Sequence, residues 1–349
     1  MASPVRAPEP AELLVVGGGI VGALCAARAR ENYPDWAVTL VTAAQVGDGA
    51  SRFTAGLCLP VARSIEQRAM VTDSEAYYRR HTGSGFLHRI EMIDVTADPA
   101  AWQARLVGVR AFSNGRPALP DCCRVSSGET ALRYGGVLVV NAAGIAAALV
   151  GPGSGVCVQS RTDVRTLAHD GTVWNASVHS PQGPRTIRAH RVILATGPWP
   201  WPAGEGLPDG GGDELRTKRV AALELHLPDL TPGTCVHFVD DDIFLLATPR
   251  GRALASFYRS RWDVSPVGCD GTIDAADLED GLAQLAARFH GSGPSVLGGR
   301  AFCDSYAPER HPLVMRGDHR IACVTGTSGS GVRFGPALAA RALAAIEDL

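Results

Sequence analysis

Apolar runs and polar breaks near the start of the chain read as strand, helix, strand. Residues 12–16 (Glu-Leu-Leu-Val-Val) set four consecutive apolar side chains before a run of glycines, as in a strand buried on both faces. Residues 20–31 are rich in Ala and predict a helix, closed by Asn32, Tyr33 and Pro34. Residues 37–41 predict a second buried strand. Two parallel strands joined by a crossover helix imply an α/β layer.

Further along, residues 43–60 read as a Gly-rich loop, and 66–81 and 97–107 as helices. Residues 137–140 predict a short strand and 142–150 a helix, followed by strands at 156–159, 172–179, 186–189 and 191–196. Residues 202–215 are the most loop-like stretch and a candidate crossing between lobes. Residues 219–226, 235–239, 243–248 and 253–258 predict four antiparallel strands. Residues 274–290 predict a helix that starts near Asp274. A last buried strand is expected at 320–325 and a last helix from Pro336 to Leu349, with residues 1–11 as a short leader. The order suggests two interleaved lobes.

Composition narrows the classes. The chain has 349 residues, 46% hydrophobic and 19% charged, which suits a sizeable core and not disorder. A net charge of −2 supplies no basic field for nucleic acid. No apolar run is long enough for a transmembrane helix, and the N-terminus has no apolar secretory segment. Nine scattered Cys without a CxxC pair read as free thiols in a reducing cytoplasm. Ten His without HExxH or HxH give no expectation of a metal.

The strongest motif is Gly17-Gly18-Gly19-Ile20-Val21-Gly22, a GxGxxG between a strand and a helix. Gly17 allows the tight turn, Gly19 lets a pyrophosphate approach the backbone, and Gly22 allows close helix–strand packing. The N–H groups of Ile20 and Val21, at the helix start, face the phosphates. The second strand of such a unit usually ends in Asp or Glu, which holds the ribose hydroxyls. Here it ends at Thr42, whose hydroxyl can still hydrogen-bond.

Three further segments separate a flavin from a nicotinamide dinucleotide. Gly47 to Leu57 is a second Gly-rich stretch, containing Ser51, Arg52, Thr54, Ala55 and Gly56. Thr196-Gly197-Pro198-Trp199 follows a buried strand, and Gly326 to Pro336 precedes the last helix with Ser328, Gly329, Ser330, Gly331, Val332 and Arg333. Taken together these resemble the D-amino-acid oxidase superfamily of flavoproteins, which includes glycine oxidase and sarcosine oxidase. Ala55-Gly56-Leu57 with Pro60 resembles the family's loop beside the isoalloxazine. Ala195-Thr196-Gly197 and the G-x-S-G-x-G at Gly326–Gly331 are similar to its other flavin contacts.

The resemblance implies an α/β fold: a Rossmann-like FAD-binding domain of glutathione-reductase type, interleaved with a mixed antiparallel-sheet substrate domain. The first is expected at 12–60, 130–205 and 295–349, and the second at 61–129 and 206–294. FAD is the expected cofactor, bound non-covalently, with Val164 also among its contacts. Backbone N–H groups at Gly329–Arg333, with the Arg333 charge, would stabilise the anion that forms near flavin N1 and O2 on reduction.

The substrate side departs from the family, whose members acting on amino acids bind the carboxylate with an Arg near the last strand. In Phe302-Cys303-Asp304-Ser305-Tyr306-Ala307-Pro308-Glu309-Arg310-His311-Pro312, Cys303 or Asp304 takes that place. Three accounts stand open. Arg310 or Arg52 takes over the carboxylate, or the substrate lacks one, or Asp304 meets a cationic substrate. Tyr306 is a candidate hydroxyl donor over the flavin, His311 a candidate proton acceptor, and Cys303 an alternative point of covalent flavin attachment. The run Asp240-Asp241-Asp242 reads as a solvated turn, from which Asp242 or Phe244 could reach the pocket.

The expectation is an FAD-dependent oxidoreductase that takes a hydride from an amine or amino-acid-type substrate to flavin N5, giving an imine. O2 or another acceptor then reoxidises the flavin. The alternative is oxidation of a specialised biosynthetic intermediate without an amino-acid carboxylate. A non-catalytic flavin-binding module and an NAD-dependent dehydrogenase explain less of the glycine pattern. No acid–base dyad is visible in the sequence, and hydride transfer from a neutral amine needs mainly orientation.

Overall fold

The strand Ala11–Val16 lies at the centre of a parallel array, buried along nearly its whole length. Val38–Val41 pairs with it on one side and Gly183–Leu194 on the other, both parallel. Val156–Gln159 extends the array beyond Val38–Val41, and Ile321–Thr325 beyond Leu194. The helix Ile20–Asn32 crosses over between the first two strands. This computed structural model describes residues 9–81, 85–109, 111–112, 119–208, 215–291 and 293–347. Residues 1–8 of the expected leader and 209–214 of the expected crossing loop lie outside them.

Among the described residues the strands form two mixed sheets, of nine and eight strands. The expected strands 186–189 and 191–196 are one continuous strand, Gly183–Leu194. Its first half joins an antiparallel meander with Trp174–Ser180 and Asp163–His169, and its second half joins the parallel array.

The second sheet runs from Val296–Tyr306 through Arg216–His226, Arg252–Ser256, Ile243–Thr248, Thr234–Phe238, Leu87–Thr96 and Thr130–Val140 to the two-residue strand Leu57–Cys58. Segments 130–140 and 296–306, expected with the first lobe, therefore hydrogen-bond into the second sheet. Three of its strands escape the sequence pattern, among them the two-residue Leu57–Cys58 inside the expected loop 43–60. Leu87–Thr96 carries His88, Arg89 and Glu91 among its apolar residues. Val296–Tyr306 contains Gly298-Gly299, which reads as a turn. A Cβ on Gly299 would stand 2.8 Å from the Ala222 carbonyl, so the glycine serves close strand approach.

The last helix, Gly331–Glu347, begins earlier than its proline suggests, and Pro336 lies inside it. Pro cannot donate to the carbonyl four residues back. That carbonyl, of Val332, instead accepts the Tyr78 hydroxyl at 2.8 Å from the helix Ile65–Arg80. The orphaned acceptor thus becomes a cross-link between two helices.

On the far face of the second sheet, the helix Ala275–Ala286 is capped by Asp274, as its sequence suggests. Asp277, fully buried, accepts from Arg219 at 2.6 Å and pairs with Arg259 at 3.1 Å. Asp277→Ala removes the one fully buried carboxylate that Arg219 and Arg259 share, leaving them only Asp274 and Asp280 nearer the surface. We expect it to cost about 3 kcal/mol, read as a lower midpoint in urea unfolding against wild type.

Candidate flavin and substrate clefts

The fingerprint turn sits at the C-terminal end of the central strand, where ligands of open α/β sheets bind. Gly17 is left-handed (φ +112°), and a Cβ there would stand 2.2 Å from the Ala195 carbonyl oxygen. A Cβ on Gly22 would stand 1.9 Å from the Gly17 carbonyl oxygen. These two glycines let turn, helix and neighbouring strand touch through backbone. At Gly19 the space is open, since a Cβ would meet only Ser51 Oγ at 3.2 Å. Gly19 is the N-cap of the helix and offers no side chain, and Ser51 Oγ accepts the Ile20 N–H at 2.9 Å.

From this turn a long cleft extends in two directions. Thr42, Val164, Thr196, Gly197 and Trp199 line it together with Gly17, Gly19, Ile20, Val21, Ser51 and Thr54. Gly329, Gly331 and Val332 line it as well. Asp48, Thr162 and Phe302 also line it, and the sequence reading did not single them out as contacts. Gly22 and Gly56 lie behind the walls. A Cβ on Gly56 would stand 1.9 Å from the Val140 carbonyl, so its role is packing. Arg52 does not reach the cleft. It sits in the short helix Ala50–Phe53, largely exposed and 3.6 Å from Asp48.

A second cleft shares Thr54, Phe302 and Gly329 with the first and opens under the second sheet. Ala55, Leu57, Ser328, Ser330 and Arg333 line it beside Phe244, Tyr306 and Arg310. The expected flavin-side and substrate-side residues therefore meet here, with two corrections.

Asp304 faces the first cleft. Its carboxylate accepts Gly329 N–H at 2.6 Å, Ser305 N–H at 2.9 Å and the Thr327 hydroxyl at 3.3 Å. It holds the Gly329 turn and lines the flavin groove, not the second cleft. Cys303, one residue earlier, points to the opposite face of the strand, as alternation requires. Its sulfur lies 2.7 Å from that of Cys269, away from either cleft.

The remaining candidates separate by contact. His311 pairs with Glu66 at 3.0 Å and lines neither cleft. Asp240 accepts Ala97 N–H at 2.8 Å, Asp241 pairs with Arg288, and only Asp242 of the three reaches the second cleft, paired with Arg310 at 3.3 Å. Arg333 is nearly enclosed. It donates to the Leu59 and Val61 carbonyls at 3.3 and 3.0 Å and to Ser330 Oγ at 2.9 Å. Its Nε is buried without a partner, and burial lowers the guanidinium to about 10, still charged at neutral pH.

Lys218 carries no motif in the sequence, yet it belongs to this cleft. It is 4% exposed, and its Nζ stands over the rings of Tyr258, Trp262 and Tyr306 at 3.9, 5.0 and 5.2 Å. Among the described residues no carboxylate pairs with it. Burial first, and then Arg310, lower its ammonium to about 8. The same holds for His237. Its Nδ1 lies 3.1 Å from Asp94, which also accepts Trp102 Nε1 and the Tyr134 hydroxyl, each at 2.6 Å. These groups come from separate strands and, for Trp102, a helix, and no local motif announces them.

A sequence profile of the DAO family, FAD dependent oxidoreductase, matches residues 12–346. The chain belongs to this family. As a member it is an FAD-dependent oxidoreductase, and the groove fits that cofactor. It combines an open approach at Gly19, a helix start without an acidic residue, and continuity from Thr42 to the Gly329 turn.

Solved structures share the DAO fold at low identity. Glycine oxidase from Geobacillus kaustophilus is 16% identical (TM-score 0.73, covering 97% of this chain and 95% of that one). L-amino acid deaminase from Proteus vulgaris is 15% identical (0.73, 99% and 95%), and L-proline dehydrogenase from P. horikoshii 17% (0.72, 95% and 92%). No curated protein matches the chain in sequence. Among the described residues no cluster of His, Cys, Asp or Glu is placed to hold a metal, and no helix is long and apolar enough to cross a membrane.

Two outcomes are expected. Because Cys303 faces away from the groove, acid precipitation of the FAD-loaded protein should release the flavin into the supernatant, and yellow colour left in the pellet would contradict this geometry. Burial raises Asp304 from 3.8 to about 6. A raised carboxyl favours the folded state below its unfolded value, and that advantage disappears as pH rises through the folded one. The stability of wild type relative to Asp304→Asn should therefore fall between about pH 4 and pH 6 and then level off in urea titrations. A pH-independent difference would contradict it.

Proposed function

We propose that the protein oxidises an amino-acid-type substrate at its C–N bond. A hydride leaves the α-carbon and a proton leaves the nitrogen, producing an imine, with O2 as the final electron acceptor. Bound FAD supplies the two-electron acceptor at N5 of the isoalloxazine. The residues that would hold it are those of the first groove, with the N–H groups of the Gly329–Arg333 segment beside the ring.

The observation that carries this reading is Lys218. A buried cation without a carboxylate is costly, and it stands in the wall of the cleft that joins the flavin groove at Phe302 and Gly329. A substrate carboxylate would complete it. Lys218 lies one strand over from Asp304, its register partner, at the level where the family's Arg is absent. Tyr306 would add a donor, since its hydroxyl lies 3.5 Å from the Cβ position of Gly329, at the flavin end of the cleft. Phe244 and Phe302 would give the substrate an apolar floor and exclude water. This cationic lining speaks against the alternative, a substrate without a carboxylate. The names of the solved relatives (oxidase, deaminase, dehydrogenase) support a nitrogen-bearing substrate.

The test is anaerobic mixing of FAD-loaded protein with D- and L-amino acids and N-methyl amino acids. Bleaching of the flavin absorption by at least one of them is expected, and readmission of O2 should restore the colour with release of peroxide. Lys218→Met should raise KM at least tenfold for the active substrate and leave FAD content unchanged. No bleaching across the panel would refute the reading.

A further inference from the structure

The second cleft holds more positive charge than one carboxylate needs. Six arginines line it beside Lys218; Arg219 and Arg259 are held by Asp277 and Arg333 by backbone carbonyls, which leaves three guanidinium groups on the wall from separate segments. Arg63 comes from the loop before the helix Ile65–Arg80, Arg105 from the end of the helix Pro99–Arg105, and Arg310 from the turn after the strand Val296–Tyr306.

Their backbones are tied together. Ala62 N–H donates to the Arg105 carbonyl at 2.9 Å, and Arg63 N–H donates to Gln67 Oε1 at 3.0 Å. Gln67, almost fully buried, donates in turn to the Arg310 carbonyl at 3.4 Å. The platform is therefore built and not a chance gathering of surface side chains. The Arg105 guanidinium carbon stands over the Trp102 ring, 4.9 Å from its centroid.

Among the described residues, neither Arg63 nor Arg105 donates a side-chain hydrogen bond or pairs with a carboxylate. The single carboxylate lining this cleft is Asp242, and Arg310 uses it. Arg333, behind them, is already bound to backbone carbonyls. The cations act on one another: Arg63 is lowered by burial and then by Arg310 and Arg105. A cleft lined by one sign of charge focuses its field and concentrates anions there.

The geometry points to a second anion subsite formed by Arg63, Arg105 and Arg310, so that the substrate is an amino acid whose side chain carries a carboxylate or phosphate group of its own. On this arrangement Lys218 takes the α-carboxylate and the arginine platform takes the distal anion. Their planar forks suit either oxygen acid in bidentate fashion. This rests on the amino-acid reading above and sharpens it.

Probes without an amine separate the two ideas, because they bind without turnover. The FAD-loaded protein is titrated with glutarate, 3-phosphonopropionate and pentanoate, and the shift of the flavin absorption gives each dissociation constant. At least one dianion should bind tenfold or more tightly than pentanoate, with the preference shrinking as salt is added. The tighter of the two dianions identifies the distal group as carboxylate or phosphate. Arg63→Gln combined with Arg105→Gln should bring the dianions down to the level of pentanoate, and Arg63→Lys with Arg105→Lys should keep most of the preference. Equal binding of dianion and monoanion, a preference that survives the double Gln variant, or no spectral response to any probe would overturn the subsite. Bleaching by amino acids is a separate readout and fails or succeeds independently.

Discussion

Backbone contact without side chains between is the constraint on which this structure rests. The Ala195 carbonyl occupies the place where a Gly17 side chain would begin, and the Gly17 carbonyl does the same to Gly22. Only glycine permits both. The contact pulls the helix Ile20–Asn32 onto the sheet and leaves its N-terminus pointing along the groove. Ser51, brought over by the short helix Ala50–Phe53, then supplies the cap that Gly19 cannot. The wall at Thr42, the floor at Thr196 and the approach at Gly19 all take their positions from this junction.

Charge is distributed with equal consequence. Asp304, one of the carboxylates lining the first groove, is spent on the backbone of the Gly329 turn. The cations are left on the other side, facing the second cleft. The last helix contributes its own lock, since Pro336 frees a carbonyl and Tyr78 takes it. The loop with Leu59 and Val61 is fastened to the same helix by Arg333. Helix start, flavin-side loop and cleft wall thus form one stiff corner, which suits a reaction that depends on holding two carbon frameworks in register.

The parts legible in sequence are those whose chemistry is local. A strand followed by GxGxxG and an Ala-rich helix announces itself, as do the Asp274 cap and the terminal glycines, because each depends on residues within a few positions. The substrate side is assembled from distant positions: Arg63, Arg105, Lys218 and Arg310 share a cleft only after the second sheet forms. Single positions there turn on strand parity and turn geometry. Asp304 and Cys303 look equivalent as replacements for a missing Arg, yet alternation sends one to the groove and the other to Cys269. Arg52 looks like a pocket residue until the four-residue helix around it turns it outward. Gly299 hides a long strand because its glycine serves close packing, while the same residue in a sequence suggests a turn.

The interleaving of the two sheets has a consequence for how the chain reaches this state. Ile321–Thr325 completes the parallel array, and the helix Gly331–Glu347 packs on the helix Ile20–Asn32, with Leu24 and Leu338 in one core. The first nucleotide-binding unit is therefore completed only by segments far along the chain. Long-range closure of this kind slows folding and leaves apolar strands uncovered in the meantime. The strand Ala11–Val16 and the helix behind it thus acquire part of their cover from residues about three hundred positions along the chain, a separation that ties the nucleotide-binding turn to segments beyond the last strand of the second sheet in a single cooperative unit.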